Sequence, residues 1–270
     1  MDKKKRFEKI LRDIKSVKIQ GARNVAKCAL RAYFLFPTKH SKRLLLFSRP
    51  TEPMMENVLE LSESLSKKEI LKHFEDAQQS INDAVFKIIK NNDVIFTHCH
   101  STNVVKTLIH AKRKGKKFEV YNTETRPLYQ GRKTSKELAK AGIKVTQFVD
   151  SAFAFAIEKE NKKDKIYATK ILLGADALLK DGIINKIGSK LICETASAHK
   201  IPVYIIADSW KFTKNKVPIE QRKLSEIWDK APKNVKVQNP AFEFVGKKYI
   251  HKIVSELGSL SYDDFLRKVK

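Results

Sequence analysis

The side chains best suited to chemistry stand in one short run, Thr97-His98-Cys99-His100-Ser101, at the end of an apolar stretch of strand type that starts at Asp93. Ser101 then opens an amphipathic segment from Thr102 to Lys114, so the pattern predicts a strand, a turn and a helix, with Cys99 in the turn. Free N–H groups at a helix N-terminus bind anions and stabilise a nearby thiolate. Cys99 is therefore the first candidate for a reactive group.

Three further polar clusters follow predicted strands. Asn122 to Gly131 brings an acid, a guanidinium and an amide into one loop, a combination that suits a hydroxylated, phosphorylated ligand. Asp150-Ser151-Ala152 is the second cluster, and Gly174-Ala175-Asp176 followed by Asp181 to Ser189 is the third. Strand ends on the same side of a parallel sheet converge, so these clusters are expected to line one pocket.

Each cluster also has a structural alternative. Asp150 before a helix is more typical of an N-cap than of a ligand. The alternative for Asn122 to Gly131 is an ordinary connecting loop marked by Pro127 and Gly131. Asp176 follows an apolar run, where desolvation raises the pKa of a carboxyl towards the range useful for acid–base chemistry. A structural aspartate is nearly as frequent in such a place, and a lone cysteine is more often a small buried hydrophobe.

His98 and His100 flank Cys99, and alternate residues point to opposite faces, so at least one of the two histidines is expected only to pack. Neither has a third partner at the spacing of a metal site, so no metal is predicted. Lys186 at a turn is equally typical of a solvated surface. The sequence contains neither a Walker A loop nor a dinucleotide fingerprint, and no cofactor is expected.

The elements that position these residues change in character at Asp93. Before it, the apolar spacing of Phe7, Ile10, Leu11, Ile14 and Val17 is typical of an amphipathic helix. Three more helices are predicted, around Val25–Tyr33 and at Met54–Leu65 and Lys67–Lys90.

After Asp93, short apolar runs alternate with helical segments, which indicates βαβ units and a parallel sheet. The predicted strands are Val94–Thr97, Phe118–Asn122, Lys144–Phe148, Lys170–Leu173 and Val203–Ala207. The predicted helices are Thr102–Lys114, Gly131–Ala141, Ser151–Ile157 and Ile187–His199, with Gly115 and Gly142 at C-cap positions. Beyond Phe242–Val245, a last helical stretch is predicted at Tyr249–Leu257 and Asp263–Val269. The fold class is thus α/β, a helical part followed by a parallel-sheet domain.

The composition is that of a globular chain with a large excess of positive charge. Its 270 residues include 55 Lys and Arg against 30 Asp and Glu, a net charge of +25, and 42% are hydrophobic. No apolar run approaches the roughly 20 residues of a membrane span, and no apolar signal segment follows the basic start. No membrane partner is therefore expected. The three cysteines stand at no metal-like spacing and suggest no disulfide framework, so a cytoplasmic location is expected.

The positive charge raises the question of a nucleic-acid partner. The densest clusters are Lys112–Lys117 and Lys159–Lys165, but lysines are spread along the whole chain and no aromatic residues interleave either cluster. A basic surface that steers anionic substrates is the preferred interpretation, and a nucleic-acid partner is not expected.

Taken in order, five runs of this sequence resemble one family: Asn122–Gly131, Gly142–Thr146, Asp150–Ala152, Gly174–Asp176 and Asp181–Ser189. The family comprises sugar-1-phosphate aldose–ketose isomerases (methylthioribose-1-phosphate isomerase and archaeal ribose-1,5-bisphosphate isomerase) and the alpha, beta and delta subunits of initiation factor 2B. The resemblance covers the chain from about Asp93 onward, and the preceding part more weakly. It implies a helical N-terminal domain (residues 1–91), a Rossmann-like α/β catalytic domain (residues 92–270), and self-assembly into a dimer or a hexamer.

Two residues mark the catalytic branch of that family, a cysteine after the first strand and an aspartate in Gly-Ala-Asp. Cys99 and Asp176 match both, which favours an enzyme over an initiation-factor subunit. Thr97–Ser101 looks most like the archaeal ribose-1,5-bisphosphate isomerases, and Ala207–Phe212 is similar to a run in those isomerases and in the factor subunits. One departure is the spacing from Asp176 to Asn185, which is one residue shorter than is usual in the family.

The activity implied by the resemblance is a cofactor-independent conversion of ribose 1,5-bisphosphate to ribulose 1,5-bisphosphate. Cys99 and Asp176 would transfer the protons, and which of them acts on carbon stays open. The residues implied to hold phosphate or to orient the sugar are Gly21, Ala22, Arg23, Arg49, Arg126, Gln130, Asn185, Lys186 and Lys211. The alternatives are a regulatory subunit that binds a sugar phosphate or nucleotide effector and contacts a translation factor, and a methylthioribose-1-phosphate isomerase.

Overall fold

The computed structural model describes residues 2–158 and 167–269, so the lysine cluster at 159–165 lies outside the described residues. The chain begins with five helices, α1 (Lys3–Lys15), α2 (Ala22–Tyr33), α3 (Lys39–Ser48), α4 (Pro53–Leu61) and α5 (Lys67–Ile88). The predicted apolar face of the first helix is confirmed at Phe7 and Ile14, which are buried against α2 and α3. The start of α5 is fixed by a capping box between Ser66 and Glu69.

The rest of the chain alternates strands and helices, as the sequence predicts. The strands are β1 (Asp93–Thr97), β2 (Phe118–Thr123), β3 (Lys144–Phe148), β4 (Lys170–Leu173), β5 (Ala177–Leu178), β6 (Gly182–Lys186), β7 (Val203–Ile206), β8 (Phe242–Gly246), β9 (Lys252–Ser255) and β10 (Gly258–Leu260). The helices are α6 (Thr102–Arg113), α7 (Gln130–Lys140), α8 (Phe153–Ile157), α9 (Ser189–Ala198) and α10 (Tyr262–Lys268).

Seven strands form one sheet in the order β10-β9-β7-β4-β1-β2-β3. All its pairs are parallel except β10 with β9, so the predicted parallel sheet is confirmed. Both faces of the sheet are covered, which is why β1 and β4 are buried along their whole length. The predicted C-caps are also confirmed: Gly115 and Gly142 have φ of +88° and +75°, a conformation that glycine adopts without strain.

Helix α5 connects the helical part to the sheet. Ile70 and Phe74 at its start pack among the preceding helices, whereas Ile81 and Val85 pack on the sheet beside Ile95. The division of the chain into residues 1–91 and 92–270 stays a prediction, because α5 packs both against the preceding helices and against the sheet.

One prediction of local structure was wrong, and strand β6 was missed. Tyr249–Leu257 was expected to be helical, but it contains strand β9, which pairs with β7 inside the sheet. Its apolar residues Ile250, Ile253, Val254 and Leu257 have helical spacing, and only the pairing with β7 decides against a helix. The helix predicted at Ile187–His199 is confirmed as α9, which begins at Ser189. Residues 182–186, for which no strand was predicted, form β6 in a second, antiparallel sheet of β5, β6 and β8.

None of the described helices is both long and apolar enough to cross a membrane.

Candidate active site

The candidate site lies where the strand order of the large sheet changes direction. The chain runs from β1 to β2 and β3 on one side, and from β4 to β7 and β9 on the other. In open α/β sheets, ligands bind beyond the carboxyl ends of the strands at such a point. Cys99 follows β1 and Asp176 follows β4, and both residues line the cleft found there.

Ten of the eleven predicted site residues line this single cleft, namely Gly21, Ala22, Arg23, Arg49, Cys99, Gln130, Asp176, Asn185, Lys186 and Lys211. They come from the helical part, from the segments that follow β1, β4 and β7, from the end of β6, and from the start of α7. Three of the four polar clusters therefore converge in space, whereas no residue of Asp150-Ser151-Ala152 lines the cleft. The role of each residue stays a prediction.

Arg126 is the exception. It is exposed, its guanidinium donates a hydrogen bond to the Tyr129 hydroxyl, and it is not among the residues that line the cleft. The loop that carries it is held by Asp150, whose carboxylate accepts hydrogen bonds from the backbone N–H groups of Thr125 (2.7 Å) and Arg126 (2.6 Å). The structural alternative for Asp150 therefore fits, although it anchors a neighbouring loop and caps no helix.

Cys99 has a strained backbone. Its φ is +66°, in the left-handed region that costs a residue with a side chain about 1–2 kcal/mol. The conformation is held from both sides: the Cys99 N–H donates to the Thr125 hydroxyl (3.0 Å), and the Cys99 carbonyl accepts from the Thr134 hydroxyl (2.8 Å). Strain of this kind is found where a protein must aim a functional side chain.

The thiol of Cys99 is protonated at neutral pH. Burial raises its pKa to about 11, although the Lys186 ammonium and a hydrogen bond from the His100 backbone oppose that rise. The expected thiolate at a helix N-terminus is therefore absent from the ligand-free protein. A base or a nearby cation must act on the thiol before it can accept a proton.

Asp176 is delivered by the β5–β6 hairpin. Its N–H donates to the carbonyl of Ile184 (2.8 Å), and the pairing of Ala177 with Ile184 puts Asp176 beside Asn185. The shorter turn thus still brings Asp176 and Asn185 to one cleft. Burial raises the pKa of the Asp176 carboxyl, opposed by the positive charge of Lys211, which confirms the desolvation expected from the apolar run before it.

The two histidines beside Cys99 are both neutral and structural in their contacts. The His98 ring is buried, with Nε2 donating to the Ile187 carbonyl (2.9 Å) and Nδ1 against the Thr123 hydroxyl. His100 Nδ1 donates to the Thr134 hydroxyl (3.0 Å), which is itself the donor to Cys99. Burial lowers the pKa of His98, and that of His100 to about 4.

Four of the predicted cations are largely withdrawn from solvent. Arg49, Lys186 and Lys211 are buried, and the ammonium of Lys211 donates to the Ala175 carbonyl at the end of β4. Arg23 donates to the Gln78 side chain (3.1 Å) and to the Phe74 carbonyl (2.6 Å). Buried cations that converge on one cleft suit an anionic ligand, because a low dielectric strengthens their attraction.

The sequence analysis missed the carboxylates that surround Arg49. Its Nη2 lies 3.3 Å from Glu52 and 3.2 Å from Glu220, and Glu220 also pairs with Arg222 (3.3 Å). Glu52 directly follows Arg49-Pro50-Thr51, so the sequence did place it beside a predicted site residue. Glu220 and Arg222 lie in the irregular stretch after Trp210, where no pattern pointed to them.

Among the described residues, one group of three side chains has its ligand atoms close enough to hold a metal ion, within 4.8 Å: His73, Asp208 and Glu256. None of them lines the cleft. His73 stacks on Trp210 with ring centroids 3.5 Å apart and pairs with Asp208 (3.3 Å), and Glu256 accepts from the Ser209 N–H (3.1 Å). Protein contacts account for all three side chains, so no metal role is assigned to them.

The comparisons with known proteins agree with this fold. A model of the Initiation factor 2 subunit family matches residues 40–262. The chain is 31% identical to a ribose 1,5-bisphosphate isomerase of Thermococcus kodakarensis, over 92% of this chain and 89% of that protein. It is 30% identical to a putative translation initiation factor eIF-2B subunit 2-like protein of Pyrococcus furiosus, over 93% of this chain and 94% of that protein. The crystal structure of a 5-methylthioribose 1-phosphate isomerase of Pyrococcus horikoshii superposes with a TM-score of 0.78, 21% identity and coverage of 97% and 87%.

The open, mostly parallel sheet with helices on its faces defines the class as an α/β protein. The chain belongs to the Initiation factor 2 subunit family.

Proposed function

We propose that this protein is a sugar-phosphate aldose–ketose isomerase that converts ribose 1,5-bisphosphate to ribulose 1,5-bisphosphate without a cofactor. The observation that carries the proposal is the pair Cys99 and Asp176, which follow adjacent strands of one sheet and line one cleft with buried cations. The similarity to isomerases along nearly the whole chain supports the reaction class.

The reaction moves one proton from C2 to C1 and one from the 2-hydroxyl to the ring oxygen, and the two groups suit these two transfers. Asp176, whose pKa burial raises, gives its proton to the ring oxygen as the bond from that oxygen to C1 breaks. After its own proton has left to solvent, Cys99 as thiolate takes the proton from C2 and returns it to C1, and the proton of the 2-hydroxyl goes back to Asp176. The ring oxygen gains one proton, the 2-oxygen loses one and C1 gains the hydrogen of C2, so the product is the open ketose.

The neighbouring cations have separate tasks in this scheme. Lys186 lowers the pKa of Cys99 by its charge and so favours the thiolate that the carbon step requires. Arg23, Arg49 and Lys211, with the backbone at Gly21 and Ala22, hold the phosphates, while Gln130 and Asn185 orient the sugar. Arg126 joins them only if its side chain leaves Tyr129.

The experiment is to incubate the purified protein with ribose 1,5-bisphosphate and follow the ketose by NMR. Wild type is expected to form it, and Cys99→Ser and Asp176→Asn are each expected to remove turnover. Cys28→Ser and Asp181→Asn are the matched controls, since neither residue lines the cleft. A wild type without turnover, or near-normal rates in either cleft variant, would contradict the proposal.

A second candidate is a regulatory protein that binds a sugar phosphate or nucleotide without turnover. It is favoured by the initiation-factor-like relative, which matches over as much of the chain as the isomerases do. Binding of the sugar phosphate without any ketose in the same NMR experiment would support this candidate. Turnover of 5-methylthioribose 1-phosphate alone would instead support a methylthioribose-1-phosphate isomerase.

A further inference from the structure

Glu52 is a third carboxyl group of the cleft, and the mechanism above gives it no task. It stands at the N-cap position of α4, immediately after Arg49-Pro50-Thr51. An acidic N-cap side chain usually accepts a hydrogen bond from an N–H of the first helical turn. The Glu52 side chain makes no such bond, and it lines the cleft instead.

The two oxygens of this carboxyl group differ in their surroundings. Oε1 lies 3.3 Å from Arg49 Nη2, whereas Oε2 is buried without any hydrogen-bond partner. The whole side chain is 1% exposed, so bulk water does not reach it. Nearly all buried polar atoms in proteins have a partner. An oxygen without one, in the wall of a ligand cleft, is therefore expected to be paired when the ligand is bound.

The charges that face Glu52 indicate which ligand group it pairs with. Burial raises the pKa of Glu52 to about 8; the positive charges of Arg49 and Lys211 oppose this rise, and the negative charges of Asp176 and Glu220 add to it. The acid is then neutral at pH 7, and because Oε1 lies beside the Arg49 guanidinium, the proton is placed on Oε2. A neutral O–H donor suits a hydroxyl oxygen, whereas a phosphate is better held by the ammonium groups of the cleft.

We propose that Glu52 is a specificity-determining residue that hydrogen-bonds one hydroxyl group of the sugar through Oε2 while Oε1 remains on Arg49. The inference rests on the proposed sugar-phosphate function and adds to it a requirement for a hydroxyl at one ring position. Sugar phosphates that lack this hydroxyl leave Oε2 buried and unpaired, and they bind more weakly.

The test is calorimetric binding of four ligands: ribose 1-phosphate, its 2-deoxy and 3-deoxy analogues, and inorganic phosphate. The proteins are wild type, Glu52→Gln and Glu52→Met. Wild type is expected to bind ribose 1-phosphate on the order of tenfold more tightly than one of the two deoxy analogues. Glu52→Met is expected to lose this discrimination and to keep the wild-type affinity for inorganic phosphate. Glu52→Gln retains part of it, since its amide still donates.

Two results overturn the proposal and leave the isomerase function standing. One is a Met variant that discriminates between the sugars as wild type does. The other is a Met variant whose affinity for inorganic phosphate falls as far as its affinity for ribose 1-phosphate, because Glu52 then acts on the phosphate. If wild type binds neither ribose 1-phosphate nor inorganic phosphate, both proposals fail.

Should Glu52→Met not fold, the pH dependence of Glu52→Gln decides. Above about pH 8, Glu52 loses its proton beside Asp176 and Glu220, so the wild-type affinity for ribose 1-phosphate is expected to fall there. The Gln variant has no proton to lose and is expected to show no such fall. Identical pH profiles for the two proteins would overturn the proposal.

Discussion

Cys99 sits in a left-handed backbone conformation that two threonine hydroxyls hold in place. Thr125, one of the two, is itself left-handed at φ +61°, although β-branched residues rarely adopt it. Its backbone is fixed in turn by Asp150. Three side chains outside the cleft lining, those of Thr125, Thr134 and Asp150, thus fix the backbone of the residue that would transfer the carbon-bound proton.

The raised pKa of the Cys99 thiol leads to a prediction about its reactivity. With a pKa of about 11, the thiolate fraction between pH 7 and pH 9 rises about tenfold per pH unit, and alkylation by iodoacetamide should follow it. Lys186→Met removes the cation that lowers this pKa and should slow alkylation several-fold at each pH. The exposed Lys190→Met is the charge-matched control. Mass spectrometry of the Cys99 peptide gives the rates, and a pH-independent rate would contradict the pKa.

What the sequence could predict at this scale depends on burial. The apolar run before Asp176 already indicated a desolvated carboxyl, and the structure agrees. For Cys99 the helix N-terminus suggested a thiolate, but a sequence does not show how deeply a turn is buried, and burial dominates its pKa. The unpaired oxygen of Glu52 was equally invisible, because it depends on the direction in which an N-cap side chain points.

At the scale of elements, the end of β4 must approach the start of α6 very closely. A Cβ on Gly174 would lie 2.6 Å from the Ser101 hydroxyl oxygen and 2.7 Å from its Cβ, too close for any side chain. This contact brings Asp176 and Cys99 to one crevice, which explains a glycine directly after a buried strand.

Gly174→Ala is therefore expected to lower the free energy of unfolding by about 1–3 kcal/mol, and to lower turnover as the two strand ends separate. The matched control is Gly246→Ala at the end of β8, where a Cβ would meet nothing nearer than 3.9 Å. Urea denaturation and the isomerase assay measure the two effects. Equal stability of the two variants would show that the close approach is not needed.

The sequence predicted five consecutive strands of the large sheet, from β7 to the edge strand β3, because short apolar runs alternate there with helical segments. Strand β9 was missed, since its apolar residues have helical spacing and only pairing with β7 decides its structure. The β5–β6–β8 sheet was also missed as a sheet. Strand β5 has only two residues, and the pairing partners β6 and β8 are separated by a long irregular segment and other elements. Long-range pairing of this kind leaves little local signal.

For the whole molecule, the net charge of +25 leads to a prediction about substrate capture. Attraction of an anionic substrate by a positive surface is screened by salt. kcat/KM for ribose 1,5-bisphosphate is expected to fall several-fold between about 0.05 M and about 0.5 M NaCl, with kcat nearly unchanged. Steady-state kinetics at constant pH would check this, and a kcat/KM that does not change with salt would contradict steering.

Assembly of the chain into a dimer or a hexamer stays a prediction, as does the division at residue 91. The assembly depends on contacts between copies of the chain, and the division depends on contacts between its two parts. A sequence pattern describes such contacts poorly, because an interface residue and a solvent-exposed residue can be of the same type. The prediction of the fold depended on buried apolar runs, which are visible in a sequence. The fold was therefore predicted more completely than the assembly of the chain.

The central claim is that Cys99 and Asp176 together isomerise a phosphorylated aldose in one cleft. Its most direct test is the NMR spectrum of ribose 1,5-bisphosphate incubated in D₂O with wild type, Cys99→Ser and Asp176→Asn. Wild type is expected to form ribulose 1,5-bisphosphate, and neither variant is expected to form it while both bind inorganic phosphate as wild type does. Ketose formed at a normal rate by either variant, or none formed by wild type, would contradict the account.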